Sequence, residues 1–270
     1  MISVIIPTLG RPSLIRVVNS ILADDITSAY SILIVSDGPE AIALTEKFHF
    51  LDPRVKKIFN PVKSGVAACL NIGMNHLSLE SHFMVFSDDD FWVPGTCNIA
   101  IELSRLGGEK TIFLGDSKRH SLNFNREFKT NTKEIGDPIV FCYGNHPIFT
   151  NAHYLTLTCM LAPIGARKEL FDTTLKLRED IVWLDRLFHS SYKLVQVPGF
   201  NSKVSIGYLR TVQRENIEQI KNWLPIIKSH GSKLVLNFLI FHFPRPYLKK
   251  FKLYSLLKNT LLYLFHLLIK

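Results

Sequence analysis

The first half of the chain alternates short β-branched apolar runs with longer stretches whose apolar residues recur at helical spacing. The runs at residues 3–7, 31–35, 55–59, 83–87 and 111–114 predict strands. Residues 12–22 place Leu14, Val17, Val18 and Ile21 on one face behind Pro12, a residue suited to a helix start, and residues 66–77 and 95–106 read alike. Strand followed by helix, repeated, is the pattern of an α/β fold with a mostly parallel central sheet flanked by helices. The polar clusters Pro7-Thr8, Ser36-Asp37-Gly38 and Asp88-Asp89-Asp90 fall at strand ends. Open parallel sheets gather ligands at the carboxyl ends of their strands.

The second half is less regular. Residues 116–151 are polar and carry little periodicity, which predicts a long irregular insertion. An apolar stretch follows at 155–162, then a helix from about Glu179 with Ile181, Leu184 and Phe188 on one face, and a strand at 193–197 that ends at Pro198-Gly199. Residues 1–232 read as one catalytic domain and 233–270 as a tail of different character.

That tail carries Lys233, Arg245, Lys249, Lys250, Lys252, Lys258 and Lys270 and no acid, which accounts for most of the net charge of +9. The body is nearly balanced, so the charge does not point to nucleic acid. The longest uncharged runs of the tail, 234–244 and 259–269, fall short of the roughly 18–20 residues that span a bilayer. Basic residues among Phe, Leu and Tyr, with Pro244 and Pro246 between two pieces, predict amphipathic helices lying on an anionic membrane surface. Cys69, Cys97, Cys142 and Cys159 form no paired spacing, which argues against a disulfide framework and a zinc site. The N-terminus enters an apolar run without a basic leader. The expected location is cytoplasmic, peripheral on the inner membrane face.

Three adjacent carboxylates repel one another, and after the apolar run Phe83-Met84-Val85-Phe86 they need a compensating charge. A hard divalent ion, Mn²⁺ or Mg²⁺, supplies it while drawing its other ligands from phosphate and water. A solvated turn capping the next helix is the plainer alternative. Asp37 can accept hydrogen bonds from a ribose or a base, or simply close an Asx turn. Thr8 and Arg11 follow the first strand, and Lys63-Ser64-Gly65 precedes a helix, where backbone N–H groups and a lysine suit phosphate. Glu179-Asp180 opens a helix, where acids are favoured by the dipole. An ionised carboxylate held there can also act as a general base.

These motifs resemble, in order, those of the family 2 glycosyltransferases of GT-A fold. They are Val4-Ile5-Ile6-Pro7-Thr8, Ser36-Asp37-Gly38, the run from Gly65 through Asn71 to Gly73, and Ser87-Asp88-Asp89-Asp90-Phe91-Trp92. Arg167-Lys168-Glu169-Leu170-Phe171 and Leu177-Arg178-Glu179-Asp180 complete the set. The resemblance implies inverting transfer from a nucleoside-diphosphate-sugar to a glycan or lipid-linked acceptor. It implies donor contacts from Pro7, Thr8, Arg11, Asp37, Lys63, Gly65, Asn71, Asp88, Asp89 and Glu179, a metal held by Asp90 with Asp88, and Asp180 as base. Asp90 fits either alignment of the metal motif, while Asp88 and Asp89 compete for the second place. Leu70 stands where the family has Arg. His120, His146 and Arg210 lie where the family varies. A nucleotidyltransferase is the competing enzyme class, although Thr8-Leu9-Gly10-Arg11-Pro12 makes a poor phosphate loop for it. A membrane-bound, non-catalytic nucleotide-sugar binder is the third reading.

Overall fold

The computed structural model describes residues 1–25, 30–78, 82–120, 139–141, 158–175 and 179–205. The chain builds β1 (Ile2–Thr8), α1 (Ser13–Asp24), β2 (Tyr30–Asp37), α2 (Pro39–Glu46), β3 (Val55–Asn60), α3 (Val66–Asn75) and β4 (His82–Val85). These give β1 parallel neighbours on both sides, β2 and β4, with β3 beyond β2. β1 and β2 are buried along nearly their whole length, as expected of strands covered on both faces. The apolar face of α1, Leu14, Val17, Val18 and Ile21, is at most 1% exposed, and each such side chain contributes roughly 1.5–3 kcal/mol of burial. Gly73 of α3 lies where a Cβ would strike Ile5 at 2.4 Å, so its lack of a side chain lets α3 rest against β1.

Beyond β4 the sheet becomes mixed. β5 (Phe91–Trp92), α4 (Thr96–Leu106), β6 (Thr111–His120), β7 (Ile139–Phe141), β8 (Met160–Ala162), a 3₁₀ turn (Ile164–Lys168), α5 (Glu179–His189) and β9 (Lys193–Ser205) complete the described elements. The strand order is β3-β2-β1-β4-β8-β6-β9-β5, with β7 paired to β9. β8 runs antiparallel to β4 and β6, while β6 and β9 are parallel. Succession reverses direction at β1, since the chain moves outward to β3 and then returns to β4 on the other side. The crevice at the carboxyl ends of β1, β2 and β4 is therefore the switch point where such sheets bind ligands.

Two expectations need correction, and one helix was not foreseen. The start of the polar segment at 116–151 is not irregular: β6 continues to His120, and β7 lies within the segment. β9 does not end at Pro198-Gly199 but runs on to Ser205. Its register against β6 jumps between Leu114, opposite Gln196, and Asp116, opposite Asn201, and this irregularity takes up the proline that a regular ladder would refuse. Finally α2, absent from the periodicity reading, buries only Ala41 and Thr45. The tail expected at 233–270 lies outside the described residues, as do Leu177, Arg178, His146 and Arg210.

Candidate functional site

The ends of β1, β2 and β4 open into a cleft of about 520 Å³. At its floor Asp88, 4% exposed, accepts a hydrogen bond from Thr8 Oγ1 at 2.6 Å and another from Arg11 Nη1 at 2.9 Å. The same Arg11 nitrogen reaches Asp89 Oδ2 at 2.7 Å. Burial pushes the Asp88 carboxyl above its ordinary range; Thr8, Arg11 and the Leu9 N–H pull it down, and the charge of Asp89 adds to the upward push. Asp89 also accepts from Ser87 Oγ at 2.6 Å. Asp90, 3% exposed, accepts from Thr158 Oγ1 at 2.7 Å. Arg16 completes the frame, donating to the Asp89 carbonyl at 3.3 Å with its guanidinium 3.9 Å from the centre of the Phe91 ring.

The segment after the triplet is pinned from α1. Asp24 accepts from Trp92 Nε1 at 2.8 Å, Gly95 N at 2.6 Å and Cys97 N at 2.9 Å. It thereby caps α4, whose own N-cap position, Gly95, offers no side chain. Burial disfavours the charge on Asp24, but the N–H groups of Cys97 and Gly95 and the Trp92 indole outweigh it and hold the carboxyl below its ordinary value.

The wall from β2 is built around Asp37. Its carboxylate, on a residue 6% exposed, accepts from Ser64 N at 2.8 Å, Gly65 N at 2.9 Å and Asn60 Nδ2 at 3.1 Å. Most of its hydrogen-bonding capacity thus anchors the turn that presents Lys63 and Gly65 to the cleft. Gly38, at φ +92°, lets this turn close: a Cβ there would lie 2.9 Å from Lys63 Cβ. Cys69 lines the same wall, and its thiol is pushed up to about 12 by burial first and then by the charge of Asp37.

Glu179 and Asp180, the first residues of α5, also line the cleft. The helix is fixed by Trp183, which is fully buried, donates its indole N–H to the Glu169 carbonyl and stacks on Phe171 at 4.7 Å between ring centroids. Asn71 joins this support. Its amide donates to the Phe171 carbonyl at 2.9 Å and accepts from the Phe171 N–H at 2.8 Å. Of the residues expected to contact the donor, Asn71 is the one outside the cleft lining: both ends of its amide bond the backbone of Phe171, 100 residues away.

The sequence profile of glycosyl transferase family 2 matches residues 3–171. The chain belongs to this family. A search of curated proteins returned no match. Among solved structures, S. aureus TarS residues 1–349 shares 14% identity, with a TM-score of 0.65 over 95% of this chain and 77% of that one. The same protein in complex with UDP-GlcNAc gives 14% identity and a TM-score of 0.66, covering 95% of this chain and 78% of that one. A longer TarS structure gives 14% and 0.63, covering 93% and 45%. At this identity the likeness shows the GT-A fold alone. Family membership makes the chain a glycosyltransferase drawing on a nucleotide-sugar, and separates it from the nucleotidyltransferase alternative.

For a family 2 transferase the remaining expected residues fall together. Pro7, Thr8, Arg11, Asp37, Lys63, Gly65, Asp88, Asp89, Asp90, Glu179 and Asp180 all line the one cleft. Among the described residues no group of three or more His, Cys, Asp or Glu side chains is placed to hold a metal ion by itself. The donors present are hard carboxylate oxygens, those of Asp88 and Asp90 on residues only 4% and 3% exposed. Such a set suits Mg²⁺ or Mn²⁺ completed by phosphate and water, and does not suit zinc.

Thr158 and Asp24 are the members that the sequence reading missed. Thr158 lies within the apolar run 155–162 that leads into β8, where a threonine carries no signal of its own. The next residue, Cys159, has φ +80°, a conformation uncommon outside glycine that tends to persist where surrounding structure imposes it.

Proposed function

We propose that this family 2 chain is an inverting, metal-assisted transferase that moves a sugar from a nucleoside-diphosphate-sugar to a hydroxyl of a surface polysaccharide or lipid-linked glycan, at the cytoplasmic face of the membrane. One observation carries the reading: Asp180 lines the same cleft as Asp37, Lys63 and the Asp88–Asp90 floor. A base and a diphosphate site thereby share one space. The first turn of α5 favours the ionised form of Asp180, which takes the proton of the acceptor hydroxyl as that oxygen attacks the anomeric carbon. A new carbon–oxygen bond forms on one face while the bond to the diphosphate breaks on the other, its electron pair leaving with the phosphate oxygen. Lys63 and Arg11 offer positive charge to that departing group. Asp90 with Asp88 would hold Mn²⁺ or Mg²⁺, which when bound supplies further charge stabilisation to the diphosphate. Asp37 keeps the Lys63–Gly65 turn in place. The basic, apolar tail motivates the membrane location and an acceptor anchored there.

The reading is tested by measuring nucleoside diphosphate release from a panel of donors with Mn²⁺ or Mg²⁺. A uridine donor is tried first, because the similar TarS structure holds UDP-GlcNAc. Asp180→Asn should lower kcat by about 10²–10⁴ with little change in donor KM. Wild-type turnover by that variant, or unchanged nucleotide binding by Asp90→Ala, would overturn it.

A further inference from the structure

One feature of the cleft is not required by the transfer step itself. The Arg11 side chain is 47% exposed, yet a single nitrogen of it bridges Asp88 Oδ1 at 2.9 Å and Asp89 Oδ2 at 2.7 Å. The Asp88 side chain is only 5% exposed and its other oxygen is held by Thr8. An ion pair with a half-exposed guanidinium is cheap to break, whereas a buried carboxylate is costly to leave without a cation. Arg16 already secures the loop through the Asp89 carbonyl and the Phe91 ring, so the triplet keeps its shape if Arg11 leaves.

We propose that Arg11 is an electrostatic gate on the cation site: it neutralises Asp88 and Asp89 while the cleft lacks a donor, and it releases them when a diphosphate arrives to take the guanidinium. This inference rests on the metal-assisted reading above. A guanidinium and a doubly charged ion sharing one carboxylate repel each other, and at roughly 5 Å in a partly hydrated cleft that repulsion changes affinity by about tenfold or more. A diphosphate removes the conflict, since its oxygens accept the guanidinium fork and serve the ion at once. Cation and donor binding are thereby coupled, and the coupling is reciprocal.

The test is Mn²⁺ binding by the full chain, followed through loss of the free-ion electron paramagnetic resonance signal, with and without UDP. In the wild type UDP should tighten Mn²⁺ binding by about tenfold or more. Arg11→Met should bind Mn²⁺ about tenfold more tightly than wild type without UDP and gain much less from its addition. Arg11→Gln, uncharged but polar, should repeat that gain, and Arg11→Lys should follow the wild type. Equal affinity of wild type, Arg11→Met and Arg11→Gln without UDP overturns the gate and leaves the metal site standing. Failure of every chain to bind Mn²⁺ at saturating UDP overturns the metal reading together with the gate.

Discussion

Asp24→Asn changes one oxygen of one side chain and tests how the acidic loop is held. The carboxylate receives three N–H groups, with Trp92 Nε1 and Cys97 N on Oδ2 and Gly95 N on Oδ1. The amide keeps a single acceptor. Its best orientation serves Trp92 and Cys97 and turns an NH₂ toward the Gly95 N–H, so one bond is lost outright and two become neutral. Bonds to a charged partner are worth roughly 1.5–3 kcal/mol against 0.5–1.5 for neutral ones. With the site partly open to solvent, the expected loss is about 2–3 kcal/mol at neutral pH. The sign of the pH dependence follows from the depressed carboxyl of Asp24. Its stabilisation is complete above the unfolded value near 3.9 and disappears as pH falls through the lower folded value. Urea unfolding of both proteins should thus show a constant gap between pH 7 and 5 that narrows below about pH 4. A gap under about 0.5 kcal/mol at pH 7, or one that stays constant into acid, would refute the reasoning.

Thr158→Val removes the hydroxyl on Asp90 without changing shape. It should cost about 1–3 kcal/mol in urea unfolding and raise the Mn²⁺ concentration needed for half-maximal activity, while Thr158→Ser restores both. Asn71→Ala should lower stability by roughly 1–3 kcal/mol, because it strands the Phe171 N–H and carbonyl, yet change donor KM less than about twofold. A large rise in KM would show that Asn71 acts in donor binding. Ser191 ends α5 at φ +67°, with Tyr192 N bonded to the Leu187 carbonyl at 3.0 Å and Ser191 N to the Phe188 carbonyl at 3.1 Å. This is the arrangement that favours glycine, so Ser191→Gly should raise Tm by about 1–4 °C in a thermal scan.

The parallel half of the sheet was legible because its strands are buried on both faces, so runs such as Ile2–Thr8 end abruptly in polar residues that lie at the cleft. The antiparallel half was not. Residues Asp116 to His120 are polar, and their pairing depends on a strand more than 80 residues later, Asn201 to Ser205; no local pattern announces a ladder held by backbone alone. Thr8, Asp37 and the aspartate triplet were found from position in the strand–helix alternation, and their ordered spacing carried the family. Asp24, Asn71 and Thr158 act across 68 to 100 residues of sequence, beyond the reach of periodicity.

One of these did leave a local trace. Asp24 and Asp25 close α1, where the helix dipole disfavours acids and the last turn holds no basic residue to offset them. A pair of carboxylates placed against the local field needs partners from elsewhere in the fold, and both have them. Asp24 takes the Trp92 indole and the start of α4, while Asp25 takes Arg54 at 2.9 Å and the Tyr30 N–H at 3.0 Å. The acids that break the helix rule are the ones that tie α1 to the loop behind Asp90 and to the first residue of β2. The same conflict between residue and local field at the triplet itself is met by Arg11 and Thr8. In this chain, acids in locally unfavourable places mark where distant segments are joined around the cleft.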